Sequence, residues 1–118
     1  MNNIITILIF FVALEHFYFL TLEMFLWTKP KGIKTFGLKS KSYAEETKVL
    51  AANQGLYNGF LALGLLFAHF IESLPFICFF LGCVIVAGVY GAFSTKKIKL
   101  FYVQSLPAIL ALLLIMFN

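Results

Sequence analysis

The chain has 118 residues, of which 62% are hydrophobic, 18% aromatic and 12% charged, with a net charge of +4 and a mean hydropathy of +0.97. Soluble domains carry about 25% charged residues, and a globule of this size has too little interior to hide so much apolar surface. A soluble enzyme, a secreted disulfide scaffold and a disordered tail are excluded, which leaves an integral membrane protein.

Four apolar runs are long enough to cross a bilayer, and they predict an all-α, four-transmembrane-helix bundle forming a single domain. The first covers residues 4–27; it has no basic n-region and no small-x-small cleavage site, so it reads as a span rather than a removable signal. Pro30 and Gly32 are expected to break this helix, and Gly37 marks a further turn. Ser42 with Glu45 forms an S-x-x-E capping box, so the second helix is expected to begin near Tyr43. Phe36 and Leu38, large apolar residues between Pro30 and Ser42, place this loop on the membrane surface.

The second span covers 50–71, and Glu72-Ser73-Leu74-Pro75 reads as a tight hairpin turn into the third, 76–93. Cys78 and Cys83 in the third span are five residues apart, about 140° around a helix, and should not pair. A short lysine loop leads to the fourth span, 100–117, where Pro107 frees a carbonyl one turn back, near Val103.

All nine basic residues are Lys, and all five acids are Glu. Six Lys lie between the first two spans and three between the last two, so in this arrangement every one is on the same side of the membrane. The positive-inside rule then puts both lysine-rich loops in the cytoplasm and both termini outside, in a plasma membrane. Lysine flanking the spans serves orientation and attraction to anionic lipid; with no basic aromatic surface there is no case for a nucleic-acid partner.

An ionisable side chain at the bilayer centre costs at least about 2.5–3.5 kcal/mol on insertion scales. The first span holds three: Glu15 and His16 at its midpoint and Glu23 further along, all within one sector at 100° per residue. The second span carries Asn53, Gln54, Tyr57 and Asn58, opposite a face of Ala51, Gly55 and Gly59 that permits close helix approach. Tyr90 on the third span and Gln104 on the fourth fall at similar depth. Together they outline a polar pocket near the cytoplasmic face. The plain alternative is that these groups only bond the helices to one another. No H-x-x-x-H or E-x-x-H spacing surrounds Glu15 to Glu23, so neither a metal nor another cofactor is expected.

Val12-Ala13-Leu14-Glu15-His16-Phe17-Tyr18 with Leu22-Glu23-Met24-Phe25, and Ala52-Asn53-Gln54-Gly55-Leu56-Tyr57-Asn58-Gly59-Phe60-Leu61, resemble motifs of a bacterial family of small membrane proteins, catalogued as domain of unknown function 1304. Tyr90-Gly91-Ala92-Phe93 and Gln104 complete the resemblance, which covers essentially the whole chain. It implies a four-helix membrane protein of this length and brings no activity with it.

Three functions compete at this point. A proton-linked carrier, or binder of a small molecule, has a layout similar to the small multidrug-resistance exporters, with Glu15 as the exchanging carboxyl. Its small cavity calls for a homodimer through the Gly55/Gly59 or the Cys83/Ala87/Gly91 face. An intramembrane enzyme acting on a lipid or quinone would use Glu15, His16 and Glu23 as acid and base, with Tyr57 and Asn58 polarising a carbonyl or hydroxyl. An accessory subunit would dock its helices on a larger membrane complex.

Overall fold

Hydrocarbon offers backbone groups no partner, so apolar runs of this length must satisfy their hydrogen bonds internally, as helices. The computed structural model describes residues 2–118, and among them there is no strand. The helices are α1 (Asn3–Phe25), α2 (Pro30–Phe36), α3 (Lys41–Phe70), α4 (Leu74–Thr95) and α5 (Ile98–Met116). All but α2 are long and apolar enough to span a membrane. Their outer faces carry fully apolar side chains, Leu14, Phe67, Phe79 and Phe93 among them, at exposures no soluble monomer of this size would show.

Several boundaries differ from those expected. Helix α1 stops at Phe25, ahead of Pro30, and Pro30 opens α2 rather than breaking α1. Proline suits the first helical position because its missing N–H has no intrahelical partner there anyway. Gly37 closes α2 in the left-handed conformation (φ 62°), its N–H reaching the Ile33 and Lys34 carbonyls. The cap of α3 is Ser40, not Ser42: the Tyr43 N–H donates to Ser40 Oγ at 3.0 Å, and the helix starts at Lys41. Ser42 lies inside the first turn, where Glu45 pairs with Lys48 instead (3.3 Å).

The chain divides into two compact units, one of residues up to Leu14 together with Leu61–Asn118, the other of Glu15–Phe60. In the first, Ile5, Ile9 and Val12 of α1, Ala62 and Leu65 of α3, and Ile77, Leu81 and Val84 of α4 are buried at helical spacing. The α3–α4 turn is closed by Glu72 in the left-handed conformation (φ 55°). Its N–H donates to the His69 carbonyl and that of Ser73 to Ala68, while Ser73 Oγ caps α4 by accepting from Phe76. Pro75 follows in the first turn of α4. Cys78 and Cys83 are both free thiols.

Within α5, residues Phe101–Ser105 form a π-helical stretch in which the Leu106 N–H reaches back five residues to Phe101. This change of helical register falls in the turn before Pro107. Ser105 Oγ in this stretch donates to the Ile85 carbonyl of α4 at 2.9 Å. Gly88 faces Ser105 so closely that a methyl group there would overlap its hydroxyl.

The second unit holds the end of α1, all of α2 and most of α3. Gly32 packs onto the Leu26 carbonyl, where no side chain fits. The Trp27 ring lies 5.0 Å from that of Phe36, and its Nε1–H donates to Thr47 Oγ1 of α3 at 2.9 Å. Phe36 is half-buried, with its ring against that of Trp27.

Candidate functional site

Glu23 lies in the last turn of α1 and is 2% exposed. Two amides one turn apart on α3 close on it from the same side. Gln54 Nε2 donates to Oε2 at 2.6 Å, and Asn58 Nδ2 donates to Oε1 at 2.5 Å. Each carboxyl oxygen thus receives one donor, and the i,i+4 spacing puts both amides on one face of α3.

Two glycines make the approach possible. A β-carbon on Gly55 would come within 3.1 Å of Glu23 Cβ and 2.7 Å of Met24 Cγ; one on Gly59 would sit 2.6 Å from Leu20 Cδ1. The N-Q-G-x-Y-N-G block therefore has a physical reading. Its amides supply donors, and its glycines supply the room that lets α1 bring Glu23 to them. The glycines face α1, so amides and glycines serve the same helix pair.

His16, seven residues before Glu23 on the same side of α1, is fully buried, with the edge of its ring 5.2 Å from Phe19 between centroids. Glu15 is half-buried; its Oε1 is buried and has no hydrogen-bond partner among the described residues. No group of three or more His, Cys, Asp or Glu able to hold a metal occurs among those residues.

Residues 10–116 match the family model described as "Protein of unknown function (DUF1304)". The chain belongs to DUF1304. A relative, the uncharacterized protein YpaA of Lactococcus lactis subsp. lactis (strain IL1403), is 34% identical over 116 residues, 96% of this chain and 97% of that protein. No solved structure matches. The DUF1304 match takes in the whole Glu23 clamp and both glycines beneath it.

Of the other sequence candidates, Asn53 and Tyr57 share the unit of the clamp without being part of it. Asn53 is exposed, and Tyr57 is exposed with its ring edge-on to Phe60. Tyr90, on α4, and Gln104, in the π-helical stretch of α5, belong to the first unit; Tyr90 is exposed and Gln104 half-buried. Sequence reasoning missed the Trp27–Thr47 hydrogen bond. Its signal was present: an indole N–H near a span end seeks a partner, and Thr47 is the hydroxyl on the first turns of α3 that also bonds back to the Tyr43 carbonyl at 2.8 Å. Gly88 gave no such signal, because its role depends on where Ser105 falls.

Proposed function

We propose that this DUF1304 chain is a small multi-pass carrier or binder in the plasma membrane that exchanges a proton for a small molecule at Glu15. Glu23, two turns along α1, holds the scaffold. The observation that carries this reading is the contrast between the two carboxyl groups. Glu23 has both oxygens occupied by amide donors, whereas Glu15 keeps one buried oxygen with no donor. A buried acceptor without a partner costs about 1–3 kcal/mol, and an ionisable group inside a span marks a functional site by default.

The same reading orients the chain with both lysine-rich segments in the cytoplasm and both termini outside. Since Gly55 and Gly59 already face α1, a second copy would join through Cys83, Ala87 and Gly91 on α4, where Ala87 is exposed.

Infrared spectroscopy of the reconstituted protein tests the proposal. A carboxyl band that responds to bulk pH, and that disappears in Glu15→Gln but persists in Glu23→Gln, is the expected result. A Glu15 band indifferent to pH would make that residue a fixed bond between helices and end the carrier reading.

A further inference from the structure

A groove of about 750 Å³ opens where α4 ends and α5 begins. Val89, Ala92 and Phe93 form one wall, Ile98 and Phe101 the other, and Lys96 stands at the rim. The lining is almost wholly apolar, with Lys96 its one charge. The size lies within the range of about 300–1,000 Å³ usual for small-molecule sites.

Its position gives the groove a direction. The apolar lining belongs to spans that end at Thr95 and resume at Ile98, so Lys96 occupies the short connection at the membrane surface. Lys96 and the exposed apolar side chains of Val89, Phe93 and Ile98 share this groove. Lys97 and Lys99 adjoin Lys96, and no acidic residue follows Glu72 in the chain. Lys96 itself adopts a left-handed backbone (φ 58°, ψ 32°) at the end of α4. Glycine would make this turn with less strain, but it would leave the rim without its charge.

We propose that this groove binds one anionic phospholipid, with the phosphate at Lys96 and an acyl chain along Ala92, Phe93 and Phe101. The match is of charge and of polarity: an anion meets the one cation on the rim, and a hydrocarbon chain meets an apolar wall. This site is independent of the carboxyl groups of α1.

The test uses full-length protein reconstituted in nanodiscs of equal phosphatidylglycerol and phosphatidylcholine, then extracted in mild detergent with the retained lipid quantified by mass spectrometry. Wild type is expected to retain phosphatidylglycerol about fivefold over phosphatidylcholine, the size of one lysine's attraction to an anionic headgroup. Lys96→Gly is expected to fold, because glycine suits the left-handed turn, and to fall to near parity. Lys96→Arg and Lys31→Gln are expected to keep the preference. Equal retention of both lipids by wild type, an undiminished preference in Lys96→Gly, or an equal loss in Lys31→Gln would each overturn the site. The last would reduce it to diffuse surface charge.

Discussion

Asn58 Nδ2 donates to Glu23 Oε1 across 2.5 Å, joining the last turn of α1 to the middle of α3 one turn from where Gln54 meets Oε2. Three side chains thus form one hydrogen-bonded unit, with one amide donor on each carboxyl oxygen. In hydrocarbon such a unit has no water to compete with it, and each helix is held at a defined depth and rotation against the other.

The clamp makes the first prediction. Glu23→Ala leaves two amides without their acceptor and should destabilise the protein by about 2–4 kcal/mol. Interhelical hydrogen bonds inside membranes are worth about 0.6–1.7 kcal/mol each, so Asn58→Leu alone should cost less. Since both substitutions break the same bond, the double variant should fall short of additivity by about 1–2 kcal/mol. Unfolding by denaturing detergent measures all three, and strict additivity would show that the bond contributes nothing.

The second prediction concerns the contact of α4 with α5. A methyl on Gly88 meets Ser105 Oγ and lies 3.0 Å from the Ser105 backbone nitrogen. Gly88→Ala should therefore cost about 1–3 kcal/mol, the usual range for overpacking. Ser105→Gly in the same chain removes the hydroxyl and should restore part of the loss, at the expense of the bond to the Ile85 carbonyl. Thermal unfolding of the single and double variants would show this as a partial recovery; no recovery at all would place the clash elsewhere.

The third concerns Glu72. It occupies the position after α3 that glycine favours, with φ 55° and both backbone hydrogen bonds of the turn in place. Glu72→Gly should stabilise the fold by about 0.5–1 kcal/mol, because the left-handed conformation carries a penalty of about 1–2 kcal/mol for residues with a β-carbon. Loss of stability on this substitution would mean that the Glu72 side chain itself holds the turn.

Much of the architecture could be read from residue order alone, because span length and backbone satisfaction in lipid depend on little else. That Glu23 and the amides of α3 belong to one polar set was also legible from helical periodicity, but which amides bond Glu23 was not. What stayed hidden turned on choices between equivalents. Ser42 fits the capping box with Glu45, yet the cap is Ser40, which has Tyr43 rather than an acid three places on. Pro30 and Gly37 were read as breaks, although proline at the start and glycine past the end also bracket a short helix, and α2 lies between them. The π-helical stretch was beyond reach, because its Ser105 packs against Gly88 of another helix, a contact that residue order does not announce.

That stretch has a bearing on length. Helix α5 is the shortest of the four span helices, at 19 residues, yet it winds five of them more widely than an α-helix requires. Its turn before Pro107 is a slack loop in an otherwise taut rod. Drawn back to ordinary winding, it would return one residue to the axis, about 1.5 Å of reach. The span with least length is therefore the one that gives up some of its rise to seat Ser105 against α4.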